Sequence, residues 1–164
     1  MKGLPDIRPA RPGDAALIEE MLVEAARWVD ALGGTMWSDG ELERSAIERE
    51  IAAGQFFIAC VDGLPAGAVR FQEQDLLFWP DLPQGDSAFV HRLVARRAFK
   101  GQGVSRALLD WAKDRARSMG KRYLRLDYDA HRTKLGALYE ACGFRVHSYR
   151  QVGPYYVARC ECDL

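Results

Sequence analysis

Phe89-Val90-His91-Arg92-Leu93-Val94-Ala95, then Arg96-Arg97-Ala98-Phe99, then Lys100-Gly101-Gln102-Gly103-Val104-Ser105-Arg106-Ala107-Leu108-Leu109 reads as a strand, a short basic loop and the start of a helix. Two glycines fall where the helix begins. Without a Cβ they let backbone approach a ligand closely. A helix start carries unpaired N–H groups and the positive end of the helix dipole. Together these make an anion site suited to phosphate, and Lys100 adds a mobile positive charge. A dinucleotide-binding G-x-G-x-x-G asks for glycine or alanine where Arg106 stands, and the P-loop pattern G-x-x-x-x-G-K-[ST] is absent.

Upstream of that stretch, Ile7-Arg8-Pro9-Ala10 reads as a first strand, and Asp14 as the cap of a first helix. Ile18, Met21, Leu22, Ala25, Trp28, Val29 and Leu32 recur at helical spacing until Gly33-Gly34. Ser38 with Glu41 makes a capping box that predicts a second helix from Ser38 to Ala53. Phe56 to Val61 and Ala66 to Phe71 read as a hairpin turning at Asp62-Gly63. The segment from Glu73 to Asp86 is irregular, with aromatic bulk, prolines and carboxylates. It reads either as a loop over an acceptor site or as a connection with its apolar residues tucked beneath it.

Downstream, Val104, Ala107, Leu108, Trp111 and Met119 mark the buried face of a helix ending at Gly120. Tyr123 to Tyr128 reads as a strand parallel to the first half of the central stretch. A helix from Thr133 to Cys142 stops at Gly143, and strands Phe144 to Tyr149 and Tyr155 to Cys162 close the chain. The order β-α-α-β-β-β-α-β-α-β-β predicts an α/β domain over 1–164, a mixed sheet of about seven strands flanked by about four helices.

Composition narrows the function classes. The 164 residues suit one domain with a substantial core. Lys+Arg and Asp+Glu balance at 23 each, which argues against nucleic acid as the main partner. No apolar run approaches the roughly 18 residues of a membrane span, and the first residues do not read as a signal peptide. A cytoplasmic protein with no membrane partner is expected. Cys60, Cys142, Cys160 and Cys162 form no C-x-x-C and stand apart from paired histidines. Free thiols and no metal are therefore expected.

Lys100-Gly101-Gln102-Gly103-Val104-Ser105 resembles motif A of the GCN5-related N-acetyltransferases (GNAT family), [Q/R]-x-x-G-x-[G/A], with Leu93-Val94-Ala95 at the spacing of the family's preceding strand. Lys replaces Arg or Gln at 100, and Ser replaces Gly or Ala at 105. Tyr139-Glu140-Ala141-Cys142-Gly143-Phe144 resembles the family's motif B ending, Y-E-x-x-G-F. His91-Arg92-Leu93-Val94-Ala95-Arg96-Arg97 and Leu124-Arg125-Leu126-Asp127 resemble stretches of its small bacterial members. Arg132 stands where those relatives often carry an asparagine that touches the cofactor's pantetheine arm.

The resemblance implies an enzyme that uses acetyl-CoA to acetylate a small-molecule amine or an exposed protein amino group, with homodimers common. It implies pantetheine paired with backbone at Leu93, Val94 and Ala95, and the pyrophosphate beside Lys100 on Gly101, Gln102, Gly103, Val104, Ser105 and Arg106. It also implies Tyr139 as the acid that protonates the departing thiol, with Arg132 open as a further cofactor contact. His91 has the intrinsic pKa of a base for the amine, with Glu73, Asp75 and Asp127 as rivals. Two other readings compete: a non-catalytic module that senses a CoA thioester, and a scaffold using Trp37, Phe78 and Trp79 as a contact patch.

Overall fold

A computed structural model describes residues 3–34, 36–37 and 39–164. The strands are β1 (Asp6–Pro9), β2 (Phe56–Val61), β3 (Leu64–Gln72), β4 (Ser87–Ala95), β5 (Tyr123–Asp129), β6 (Arg145–Val152) and β7 (Tyr155–Asp163). The helices are α1 (Ala15–Ala31), α2 (Arg44–Ala52), α3 (Val104–Ser118) and α4 (Thr133–Ala141), in the predicted order. The strands form one sheet in the order β1-β2-β3-β4-β5-β7-β6. β4 and β5 pair in parallel while β1–β2, β2–β3, β5–β7 and β6–β7 are antiparallel, so the sheet is mixed as expected. The chain clusters into two compact units, Met1–Arg70 with Arg92–Leu108, and Phe71–His91 with Leu109–Leu164.

In the first unit, α1 and α2 cover one sheet face. Ile18, Met21 and Leu22 from α1, Ile47 and Ile51 from α2, and Phe56, Ile58, Ala68 and Val94 from the strands form its core, with Trp37 packed against it. Fully burying each large side chain contributes about 1.5–3 kcal/mol. The β2–β3 turn has φ +51° at Asp62 and +78° at Gly63, as a tight hairpin requires. Two details differ from expectation. A short 3₁₀ turn at Asp39–Leu42 precedes α2, which starts at Arg44; the Ser38 half of the predicted capping box lies outside the described residues. Asp14 does not cap α1 with its side chain. Its carboxylate instead reaches backward, accepting the Arg11 N–H at 2.7 Å and the Arg8 guanidinium at 2.7 Å.

β4 carries the main irregularity. Arg92 has φ +50°, a left-handed backbone that costs a non-glycine residue about 1–3 kcal/mol. Its side chain is held within the same unit: Nη1 donates to Glu50 Oε2 at 2.7 Å, and Arg70 lies 3.5 Å from the other Glu50 oxygen. The simple strand alternation that would put Phe89, His91, Leu93 and Ala95 on one face therefore does not run unbroken through Arg92. Just beyond, Arg96 N–H donates to Ala66 O at 2.7 Å. A Cβ on Gly67 would lie 2.5 Å from Val94 O and 2.7 Å from Val104 Cγ1, so only glycine lets β3 approach this closely.

In the second unit, Phe89, Leu124, Leu126, Phe144, Val157 and Ala158 are buried, with Leu109, Ala112 and Ala116 of α3. The Glu73–Asp86 segment resolves the two readings left open for it: its centre is tucked in. Trp79 is 0% exposed, which removes it from any contact patch. Its ring meets Phe89 and His147 and lies 4.8 Å from the Arg159 guanidinium carbon and 5.2 Å from that of Arg125. Arg159 also donates to Phe78 O at 3.0 Å and to both oxygens of Asp81. Leu76 and Leu77 remain exposed.

Candidate active site

The glycine-rich loop belongs to the first unit. Arg97–Phe99 form a 3₁₀ turn, and α3 begins at Val104. Gly101 and Gly103 have φ +78° and +73° with open space around both. Conformation rather than room demands glycine there. Arg96 pairs with Glu20 and Glu24, and the Arg97 guanidinium lies 4.2 Å from the Trp28 ring. These two basic residues are thus tied to α1, while Lys100 is exposed. The first helical bond is Ala107 N–H to Gly103 O at 2.9 Å, so the amides of Val104, Ser105 and Arg106 stand ahead of the ladder. The Gln102 amide is a correction: it already donates to Phe99 O at 3.1 Å and is spent on the turn. Val94 O and Arg96 N–H face β3. Backbone groups alternate between strand edges, so those of Leu93 and Ala95 face the other edge. The Val94 side chain is core and its carbonyl faces β3, so the expected cofactor contact at Val94 is corrected to its neighbours Leu93 and Ala95.

The acid–base residues belong to the second unit. β4 and β5 pair from Ser87↔Tyr123 to Phe89↔Arg125, and β5 continues to Asp129 with β7 on its other edge. His91 and Asp127 follow the last of these pairs. His91 Nε2 lies 2.8 Å from Asp75 Oδ2, and Nδ1 lies 3.5 Å from Asp127 Oδ1. The Phe78 ring is 6.0 Å from the imidazole. Asp75 is buried and its other oxygen, Oδ1, accepts the N–H groups of Leu77 at 3.1 Å and Phe78 at 2.9 Å. Burial alone would push its carboxyl up, but the hydrogen bond and charge of His91 with those two amides hold it below its ordinary value.

Tyr139 sits on the buried face of α4, its ring 5.5 Å from Tyr128 and 6.1 Å from Phe144. Burial, and next the negative charge of Asp127, raise its phenol well above the usual value; Arg132 pulls the other way. Arg132 therefore lies within electrostatic reach of Tyr139. Gly136 lets α4 settle here, since a Cβ on it would stand 2.5 Å from the Tyr128 hydroxyl oxygen.

The structure thus brings His91, Asp75 and Asp127 together, and places Tyr139 within electrostatic reach of both Asp127 and Arg132. Sequence reasoning listed the carboxylates as rivals of His91 and missed that they flank it. The signal was faint, because Asp75 lies in an irregular loop and Asp127 on another strand. Among the described residues these three side chains also bring metal-ligating atoms within 4.8 Å of one another. Each imidazole nitrogen faces a different carboxylate, however. Only the Asp75 contact is of hydrogen-bond length; the one to Asp127 is longer.

Residues 18–144 match the acetyltransferase (GNAT) family model. The chain is 32% identical over 143 residues to an uncharacterized N-acetyltransferase, YesJ, of Bacillus subtilis (strain 168), covering 83% of this chain and 79% of that protein. It is 31% identical to an aminoglycoside N(6')-acetyltransferase type 1 of Stenotrophomonas maltophilia, covering 85% and 86%. Among solved structures, a GNAT acetyltransferase from Listeria monocytogenes 4b F2365 superposes with a TM-score of 0.83 at 26% identity, with both chains covered in full. YncA of Salmonella typhimurium, solved with its cofactor acetyl-CoA, shares the fold at a TM-score of 0.69 and 19% identity, covering 99% and 95%. No helix among the described residues is long and apolar enough to cross a membrane. On that family match over most of its length and these relatives, the chain belongs to the GNAT family of acetyltransferases.

Proposed function

We propose that residues 1–164 act as one domain that transfers the acetyl group of acetyl-CoA to a primary amine, on a small molecule or on an exposed protein amino group. The observation that carries this is the glycine loop: two left-handed glycines with open space beside them, followed by helix-start amides. That cradle fits a pyrophosphate, with Lys100 adding charge. The outward edge at Leu93 and Ala95 fits a pantetheine amide chain. Family membership and the acetyl-CoA held by the Salmonella protein support the same cosubstrate. The aminoglycoside acetyltransferase relative supports an amine acceptor.

In this reading His91 takes the proton of the acceptor amine, whose freed lone pair attacks the thioester carbonyl carbon. The carbon–sulfur bond breaks, and Tyr139 gives its phenolic proton to the departing thiolate. The raised pKa keeps Tyr139 protonated at neutral pH. A thiolate leaving inside a buried site is itself a strong base and can take that proton. Arg132 stabilises negative charge nearby.

The test begins with thermal melts in acetyl-CoA, CoA and NAD. Binding to the native state alone raises Tm by mass action. Both CoA species are expected to raise it while NAD leaves it unchanged; no shift with saturating CoA species refutes the reading. Thiol release across a panel of amines then identifies the acceptor.

A further inference from the structure

We propose that Asp75 is a positioning residue that fixes the tautomer of His91, making Nδ1, the nitrogen facing Asp127, the atom that accepts the acceptor's proton. This rests on the reading above that His91 takes that proton. A carboxylate only accepts hydrogen bonds, and Asp75 Oδ2 lies 2.8 Å from His91 Nε2. Asp127 is a carboxylate too, but its oxygen lies beyond ordinary hydrogen-bond length from Nδ1, so the single hydrogen of the neutral ring belongs on Nε2, beside the closer Asp75. The neutral ring then keeps its lone pair on Nδ1, 3.5 Å from Asp127 Oδ1. An incoming ammonium meets that lone pair and the Asp127 carboxylate together. Its N–H bond breaks with the proton passing to Nδ1, and the electron pair left on nitrogen forms the new bond to the acetyl carbon. The sulfur leaves with the electrons of the broken carbon–sulfur bond and takes the Tyr139 proton.

Asp75 is built to hold one orientation. Leu77 and Phe78 occupy its Oδ1. Its own N–H donates to Gln84 Oε1 at 2.7 Å, and Gln84 Nε2 donates to Trp79 O at 2.7 Å and Leu82 O at 3.0 Å. Trp79, buried against Arg125 and Arg159, anchors the loop. These contacts leave the carboxylate little freedom to turn away from Nε2, so the ring's proton has a fixed place before any substrate arrives.

Asp75→Asn tests this sharply. The carboxamide oxygen can keep the Leu77 and Phe78 bonds, which turns the NH₂ toward Nε2. A donor there moves the lone pair to Nε2 and the ring proton to Nδ1. The analogous aspartate-to-asparagine change in the serine-protease triad lowers kcat about 10⁴-fold through the wrong tautomer. For D75N, kcat is expected to fall about 10²–10⁴-fold, with KM for acetyl-CoA within about twofold. ¹⁵N NMR of the neutral ring, assigned by the signal lost in His91→Gln, should show Nε2–H in the wild type and Nδ1–H in D75N. An Nδ1–H tautomer in the wild type overturns the proposal without any variant having to fold. So does a D75N protein with unchanged tautomer and kcat. Full activity of His91→Gln would refute the base assignment instead, while the wild-type tautomer would still decide what Asp75 does.

Discussion

Gly136→Ala should destabilise the protein, although alanine is the better helix former. Gly136 lies inside α4, and its φ is not left-handed, so the backbone accepts alanine. On propensity alone the change would stabilise by about 0.5–1 kcal/mol. The added Cβ, however, would stand 2.5 Å from the Tyr128 hydroxyl oxygen and 3.1 Å from Cζ. Overpacking of this kind costs about 1–3 kcal/mol, so a net loss of about 1 kcal/mol is expected, or about 2–4 °C in Tm for a chain of this size. The proof lies in the sign. In a Tyr128→Phe background the 2.5 Å contact is gone and only the tight 3.1 Å contact remains. There Gly136→Ala should stabilise by about 0.5 kcal/mol, a coupling of about 1.5 kcal/mol in a double-mutant cycle read by thermal or urea melts. Because Tyr128 packs on Tyr139, the Gly136→Ala single variant should also lose activity, and adding Tyr128→Phe should restore part of it. A Gly136→Ala effect of the same sign and size in both backgrounds would refute the reasoning.

Tyr139→Phe keeps the ring contacts with Tyr128 and Phe144 but removes the donor. It should lower kcat about 10²–10⁴-fold with little change in KM for acetyl-CoA, measured by thiol release. Gly103→Ala forces a side chain into φ +73°, which should cost about 1–2 kcal/mol in a melt and raise the Kd for CoA in calorimetry. A neutral result on both would show that the loop does not need its left-handed turn. The Asp81 carboxyl is held down to about 2, chiefly by the Arg159 hydrogen bond. A depressed folded pKa stabilises above the unfolded value of about 4 and is lost as pH falls toward 2. The Tm gap between wild type and Asp81→Asn should therefore close between about pH 4 and 2, and a gap independent of pH in that range would contradict the assignment.

The fold was legible because its signals are local. The 3.6-residue spacing of Ile18, Met21 and Leu22, the Asp62-Gly63 turn and the glycines before Val104 each act within a few residues of themselves. Where one side chain can do either of two local jobs, the sequence alone does not say which. Asp14 looks like a cap for α1 and instead serves Arg11 and Arg8 behind it. Arg92 looks like one more strand residue, yet it takes a left-handed turn that Glu50, 42 positions away, helps to hold. No periodicity encodes such a bond; only the packing of α2 brings the carboxylate there.

The site shows the same division more sharply. Tyr139 and His91 were readable as single residues of the right chemistry, because acid or base strength is a property of the side chain. What His91 does depends on which nitrogen holds the proton, and two residues on other elements decide that. Asp75 reaches Nε2 only because the loop around it folds inward on Trp79. Trp79 is held inward by Phe89 and His147 and by the guanidinium planes of Arg125 and Arg159 beside its ring. Both arginines hold acid partners as well, Arg125 on Glu161 and Arg159 on Asp81. The loop that read as irregular is thus as well determined as the strands around it, but by side chains rather than by a ladder. Loosening the anchor without touching the imidazole should therefore act through Asp75. Trp79→Ala, with a Phe substitution as the conservative partner, is expected to lower kcat and to mix the two His91 tautomers in the ¹⁵N spectrum, and Trp79→Phe should restore a single one. A single Nε2–H tautomer in the alanine variant would show that the loop holds Asp75 without its tryptophan.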